Sequence, residues 1–317
     1  FPNMHLFEDV DFPEPETLFD DYTTRGPQMK TQELTIDRHM GYAFDFKVRE
    51  LKNEPTLQYI RDSWLMAMAE MDSEQRATWE AIYDKKNEEF LKNPSVGKDL
   101  LRWKYQRYVK EYCRTIRSVD EQVGRLLDYL EEKGVLDNTV IVYTSDQGFL
   151  LGEHGLYDKR FMYEESFRTP LIISCPSLVK KHSVCKELVQ NIDLAPTFLS
   201  LAGVEVPKEM SGRSLLPLFK NGKAENWRNE LYYHFYDYPA VGSVRKHDGI
   251  RTKRYKLIHW HGEGSGNDEA IDFWELYDLK KDVMEVNNVY DNPKYVKVRE
   301  ALTVQLEKLR KDVGVTE

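Results

Sequence analysis

Residues 144 to 160 read TSDQGFLLGEHGLYDKR, which places three acids, an amide, a histidine and a lysine around three glycines. Asp146 beside Gln147 offers two neighbouring oxygen ligands of the kind a hard divalent cation, calcium or magnesium, takes. Lys159 adds a compact positive charge suited to an anion. Gly148, Gly152 and Gly155 let the backbone turn tightly and approach a ligand closely. The same residues also read as a turn carrying solvated polar groups, with Asp146 capping it, and the pattern alone leaves both readings open.

Such a segment needs elements to hold it. Immediately before it, NTVIVYTSD is a short β-branched run that reads as a strand buried on both faces, and PLIISCP at 170 to 176 reads as a second. Asp146 and Gln147 then fall at the C-terminal end of a strand, the edge of an open α/β sheet where ligands bind. Upstream, Tyr105, Tyr108, Tyr112, Ile116, Val119, Val123, Leu126 and Leu130 recur every three or four residues. This spacing predicts an amphipathic helix with one buried face and with Gly134 as its stop. From about Leu57 to Lys98 the composition is charged and helix-prone, with Asp72 and Gln75 spaced as a capping box. Residues 1 to 32, rich in Pro, Asp and Glu, read as an irregular segment lying on a larger body. Helix, strand, loop, strand is the rhythm of an α/β sheet. Beyond about Asn226 the texture changes to aromatic strands, ELYYHFYDY, RYKLIHW and FWELYDL, closed by a helix bearing Val298, Leu302, Leu306 and Leu309. This predicts a small antiparallel sheet with one helix packed on it.

With 317 residues, 41% of them hydrophobic, the chain is long enough for a large domain with an appendage or for two domains. Its 45 basic and 54 acidic residues give a net charge of −9, which excludes a general polyanion-binding surface and with it nucleic acid as a partner. No apolar run is long enough to span a membrane, and the first ten residues have no leader character. Cys113, Cys175 and Cys185 show neither zinc spacing nor a dense disulfide framework. Cys175 and Cys185 bracket a segment that loops out and returns. They read either as a disulfide or, as scattered cysteines usually do, as small hydrophobes.

The run SDQGFLLGEHGLYDKRFMYEESFRTPLII resembles the sulfatases of the alkaline-phosphatase-like superfamily. That family's pattern here is Ser-Asp-(His/Asn/Gln)-Gly, then Gly-x-His-Gly, Lys, and Tyr-Glu with Arg and Pro following. NIDLAPTFLSLAG, SGRSLLPLF, GIRTKRYKLI and WELYDLKKDVMEVNN follow at family-like intervals, with Val283 where relatives carry proline. LFEDVDFPEPETLFDDY and DKRFMYEESFRTP are most similar to the carbohydrate-directed branch, close to N-acetylglucosamine-6-sulfatases. The resemblance implies part of an alkaline-phosphatase-like α/β sandwich over residues 1 to 225. A C-terminal α+β subdomain, an antiparallel sheet with one helix, would follow over 226 to 317.

It also implies roles, position by position. Asp146 and Gln147 would ligate Ca²⁺, and Lys159 aligns with the sulfate-binding lysine. His154 lies in the right loop, as either a catalytic, substrate-contacting residue or a structural one. Tyr236, Arg245 and His247, in YDYPAVGSVRKHDG, would line a sugar pocket, the alternative being a solvated basic turn. Glu164 and Arg168, at i and i+4, read as a structural ion pair. The family's early metal-binding aspartates and its Cys/Ser-x-Pro-Ser-Arg nucleophile, which is converted to formylglycine, are absent from these residues. CPSL at 175 to 178 lacks the spacer and the arginine. The expectation is a C-terminal part of a sulfatase whose N-terminal part, its missing partner, lies upstream and which is inactive alone. In the complete enzyme a hydrated formylglycine would attack sulfur and expel the sugar alcohol, then release sulfate. The substrate implied is a sulfated carbohydrate. With no Asn-x-Ser/Thr acceptor present, a periplasmic or secreted parent is expected over a glycosylated one. A non-catalytic fragment or pseudoenzyme, and a phosphohydrolase of the same superfamily, stay open as alternatives.

Overall fold

The computed structural model describes residues 2–48, 58–266 and 268–315; Leu57, where the helix-prone stretch begins, lies outside the described residues. Residues 2–48 are mostly turns, with a 3-10 turn at Pro2–His5 and a short α-helix, α1 (Gln28–Thr31). Three longer helices follow: α2 (Gln58–Glu70), α3 (Ser73–Lys92) and α4 (Gly97–Glu132). The capping box forms in full at the start of α3, where Asp72 Oδ1 accepts from Gln75 N at 2.8 Å and Gln75 Oε1 accepts from Asp72 N at 3.2 Å. At the far end of α4, Gly134 takes φ +66°. Val135 N–H then donates back to Leu130 O at 3.0 Å, satisfying a carbonyl that the helix leaves unpaired.

Only the first half of the α4 stripe is buried. Tyr105 and Val109 pack with Leu18, Ile36 and Phe46 from the N-terminal turns. From Ile116 onward the stripe opens to solvent, with Val119 and Leu126 exposed, while Asn3 at the N-terminal end reaches only the polar side of that half, donating to Ser118 and Glu121. The expectation of a buried face along the whole helix is corrected accordingly.

The polar loop follows, between β1 (Ile141–Thr144), the short ribbon of β2 (Leu150–Leu151) and β3 (Tyr157–Asp158), α5 (Glu164–Phe167) and β4 (Leu171–Ser174). Among the described residues β1 pairs only with β4, antiparallel, and the two run as a two-stranded sheet. Neither strand is buried on both faces, which corrects the sequence reading. Leu171 and Ile173 pack against Leu215, Leu218 and Phe219, from α7 (Leu216–Phe219) and the residue before it. Tyr143 and Ile172, paired on the opposite face, are exposed. Helix α6 (Leu194–Leu201) lies between β4 and α7 in the chain.

The C-terminal region forms as expected. β5 (Glu230–Phe235), β6 (His247–Thr252), β7 (Tyr255–Gly262) and β8 (Ile271–Asp278) make an antiparallel sheet in sequence order, followed by α8 (Val296–Asp312). Alternation along the strands divides its side chains between two cores. Ile250, Leu257 and Leu276 meet Leu302 and Leu306 of α8. Ile258, Trp260 and Tyr277 face the other way, onto Met29, Leu34, Leu150 and Met162. This second core crosses the expected division at 225/226. The three cysteines are free thiols, Cys175 buried and Cys185 exposed, so the pair is not bonded.

Candidate functional site

The loop after β1 is held from three sides. Gly148 N–H donates to Ser166 O at 2.8 Å, and a Cβ on Gly148 would stand 2.1 Å from the Glu165 carbonyl oxygen. The close approach that this glycine permits is thus to the backbone of α5. Asn191 Nδ2 donates to the Asp146 carbonyl at 2.7 Å. Thr144 Oγ1 donates to Pro170 O at 2.8 Å. The result presents the Asp146 side chain to solvent, its Oδ1 accepting from Gln147 N–H at 3.1 Å and from Ser145 Oγ at 3.3 Å.

Asp146, Gln147 and Lys159 line one cavity of about 920 Å³. Lys159 stands 3.4 Å from Asp158 and over the Phe149 ring at 5.7 Å. Three further cations, Arg160, Arg168 and Arg251, share the wall with Tyr233 and Phe235 of β5, and the Tyr233 hydroxyl donates to Arg160 O at 3.1 Å. Arg160 is paired with Asp158. The spacing pairs Arg168 with Glu164, but the structure separates them. Helix α5 ends at Phe167, Arg168 is extended at φ −87° and ψ 118°, and its exposed guanidinium makes no ion pair among the described residues. Glu164 is instead held by Arg251 at 3.0 Å and by the fully buried Lys256 at 2.9 Å.

Those partners set the charges beneath the cavity. Burial pushes the Glu164 carboxyl up, yet Lys256 and Arg251 outweigh it and hold it down at about 2. Glu285, which also touches Lys256 at 2.8 Å, is fully buried, and desolvation pushes it up to about 7. Its Oε2 accepts from Glu164 N–H at 2.6 Å, tying the loop after β8 to the start of α5.

His154 is fully buried. Its Nδ1 lies 3.0 Å from Asp20 Oδ2, its N–H donates to Thr17 Oγ1, and its carbonyl accepts from Tyr22 at 2.7 Å. Desolvation and the neighbouring Arg25 lower its pKa. It fastens the N-terminal segment under the loop and is not part of the cavity wall. The three residues assigned to a sugar pocket are not in that wall either. Arg245 is buried, its guanidinium donating to Glu269 O at 2.6 Å and stacking on Tyr238. His247 is buried against Trp260 with ring centroids 4.1 Å apart, and desolvation drops its pKa to about 3. Neither fits the alternative of a solvated basic turn. Tyr236 is exposed. Sequence reasoning missed Arg168, Arg251 and Asn191 as wall residues. For Arg168 the available signal was the proline two residues on, which favours extended backbone near it over a continuing helix.

The donor set at Asp146 and Gln147, a solvent-facing carboxylate beside an amide, fits a hard cation in kind but supplies few of the six to eight oxygens calcium takes. A different cluster, Asp248, His259 and His261, brings potential ligand atoms within 4.8 Å of one another. Arg310 already fills it, bonding both Asp248 oxygens at 2.5 and 2.6 Å and lying 3.0 Å from His259 Nδ1.

The sheet-and-helix C-terminal body and the strand-end loop with an acid, an amide and a lysine belong to an alkaline-phosphatase-like fold, as the matching family and solved structure show. The family described as Sulfatase matches residues 9–204, and that described as N-sulphoglucosamine sulphohydrolase, C-terminal, matches residues 152–312; the chain belongs to the sulfatase family. It is 44% identical over 311 residues to an N-acetylglucosamine-6-O-sulfatase of Bacteroides thetaiotaomicron, covering 98% of this chain and 54% of that protein. It is 40% identical over 124 residues to human N-acetylglucosamine-6-sulfatase, covering 38% of this chain and 22% of that one. A solved structure in complex with its substrate D-glucosamine-2-N,6-O-disulfate matches with a TM-score of 0.88 and 43% identity, over 98% of this chain and 61% of that one. The chain therefore spans at most about half the length of these two curated relatives.

Proposed function

We propose that the chain is the C-terminal portion of a carbohydrate sulfatase whose complete form removes sulfate from a sulfated sugar, the 6-O-sulfate of N-acetylglucosamine being the substrate class. The observation that carries this reading is the shared cavity of Asp146, Gln147 and Lys159, with Arg168, which makes no ion pair among the described residues, on the same wall. A sulfate ester is an anion whose charge builds on its oxygens as the S–O bond breaks, and fixed cations placed there lower the barrier. Lys159 and Arg168, both on the cavity wall, would supply that charge. Asp146 and Gln147 would hold Ca²⁺, which when bound supplies Lewis-acid polarisation of a sulfate oxygen. Glu164 keeps Arg251 in the wall, and His154 positions the loop from below. The nucleophile, a formylglycine in the family, has no counterpart among these residues, and the compartment proposed is periplasmic or secreted, in keeping with a Drosophila melanogaster relative named as an extracellular sulfatase.

The test uses the chain alone and the chain joined to the portion of the Bacteroides relative that the match does not cover. Alone it is expected to turn over neither 4-nitrocatechol sulfate nor 6-sulfated N-acetylglucosamine, and to bind Ca²⁺ weakly in calorimetry. The joined form is expected to release sulfate from the sugar, with Lys159→Ala lowering kcat/KM by about 100- to 1000-fold. Turnover by the chain alone, or submicromolar Ca²⁺ affinity, would show that the site is complete without the other portion. A joined form that cleaves the 6-phosphate in preference to the 6-sulfate would make the protein a phosphohydrolase.

A further inference from the structure

Beneath the last turn of α8, the four-stranded sheet carries a polar cluster that the sulfatase reading leaves without a role. Asp248 on β6 pairs directly with His259 on β7, and directly paired residues in an antiparallel ladder share a face. His261, two residues on, returns to that face because side chains alternate along a strand. Asp248 Oδ1 then stands 3.9 Å from His259 Nδ1 and 3.8 Å from His261 Nε2, and all three atoms lie within 4.8 Å of one another. Two ligands of a tetrahedral zinc ion are roughly 3.4 Å apart, so side-chain shifts of about an ångström close the three groups onto one ion.

The state of the ring and the company of Arg310 point the same way. Arg310 Nη2 lies 2.5 Å from Asp248 Oδ1 and 3.0 Å from His259 Nδ1. A guanidinium only donates, so His259 Nδ1 accepts and the ring proton sits on Nε2, which donates to Asp272 Oδ1 at 2.9 Å. An imidazole ligates a metal in this state, its lone pair inward and its other nitrogen held by a carboxylate. Tyr232 donates to the second Asp248 oxygen at 3.1 Å, while Oδ1 faces the histidines. Arg310 thus stands where a cation would sit. It also has another partner, because its Nη1 already bonds the half-exposed Glu307 at 2.6 Å, three residues earlier on α8.

We infer that Asp248, His259 and His261 form a transition-metal site of the zinc class that Arg310 guards, its guanidinium filling the site and swinging onto Glu307 as metal enters. Two imidazoles and a carboxylate suit zinc, nickel or cobalt, whereas calcium takes oxygen ligands. The site stands apart from the cavity of Asp146 and Gln147, since none of its three residues is in that wall.

The chain, stripped with chelator, is titrated with Co²⁺, whose visible absorption reports a tetrahedral site, and Zn²⁺ or Ca²⁺ is then added in competition. One Co²⁺ per chain is expected, displaced by Zn²⁺ and not by Ca²⁺. His261→Ala, which leaves the Arg310–Asp248 bond in place, is expected to lower the affinity at least about 10-fold, and Asp272→Asn to lower it about 10-fold by releasing the His259 ring. Arg310→Gln opens the site and is expected to raise the affinity at least about 10-fold, because a guarded site binds in proportion to the fraction that is open. If that variant fails to fold, Arg310→Lys is read instead. It keeps a charge but loses the fork onto both Asp248 oxygens, for a gain of at least about 3-fold. Asp146→Ala is expected to leave the titration unchanged. A Co²⁺ signal that survives in His261→Ala, or one that Asp146→Ala abolishes, would place the ion elsewhere and overturn the assignment. So would an affinity that neither Arg310 variant raises, or the absence of a signal from the chain and the Arg310 variants alike.

Discussion

The two sheets of this molecule are built from similar apolar runs and end in different states. In the four-stranded sheet, Ile250 and Leu257 meet α8 while Ile258 and Trp260 meet the core around Met29 and Met162, and all four are fully buried. In the two-stranded sheet only one face is sealed, and Ile172 stands in solvent. The difference teaches where the molecule's stability lies and where the proposed site lies. The sealed sheet is backed by elements of this chain on both sides. The half-sealed one carries Asp146 and Gln147 at its end. The cavity joins the two, with β5 and Arg251 of the first sheet facing the loop of the second.

The largest effect is expected where the two regions are tied together by charge. Lys256, on β7 of the sealed sheet, is the buried cation between Glu164 at the cavity wall and Glu285. Lys256→Met leaves the buried Glu285 without its cation and removes one of the two that hold the partly buried Glu164, and is expected to cost about 3–5 kcal/mol in urea unfolding. A loss under about 1 kcal/mol would mean that the two regions are not coupled through this lysine. Leu257→Ala comes next. It empties a site between the sheet and α8, for an expected loss of about 2–5 kcal/mol.

The same charged cluster fixes a pH dependence. Glu285 has its folded pKa pushed up to about 7, above its ordinary value. The stability that it contributes is fully present below its unfolded pKa and is lost as pH rises through about 7. Glu164, held down at about 2, works the other way, contributing stability above its unfolded pKa that is lost as pH falls towards 2. Unfolding midpoints measured from pH 4 to 8 are expected to decline on the alkaline side, and Glu285→Gln is expected to flatten that decline. An unchanged slope in the variant would remove Glu285 as its source.

Much of this architecture was legible because it rests on local rules. The Asp72–Gln75 capping box, the period of α4 and its glycine stop, and the aromatic runs that become β5, β7 and β8 are all set within a few residues. Legibility failed where the deciding partner is remote. Glu164 and Arg168 have helical spacing, but the helix stops between them, and Glu164 is claimed by Arg251 and Lys256 from another sheet. Arg245 and His247 read as loop charges or sugar contacts, yet the fold buries them against Tyr238 and Trp260. The runs at 140–144 and 170–174 say that a face is apolar; they do not say what covers it. Asp146, Gln147 and Lys159 do share a cavity, because the loop that holds them is short.

The smallest expected effect sharpens the contrast between the two regions. Leu126 lies on the α4 stripe at 57% exposure, a chemical match for Leu257 in side chain and opposite to it in surroundings. Truncating it removes little buried apolar area, and alanine is at least as good a helix former as leucine, so the two contributions to helix stability nearly cancel. Leu126→Ala is expected to change the unfolding free energy of the chain by no more than about 0.5 kcal/mol. Measured alongside Leu257→Ala under one set of conditions, the pair of leucines gives the difference between a covered and an uncovered apolar surface directly. A cost of about 2 kcal/mol or more at Leu126 would mean that the stripe is already buried in solution, by a second copy of the chain. The midpoint of that variant would then depend on protein concentration, since a face covered by association loses its cover on dilution.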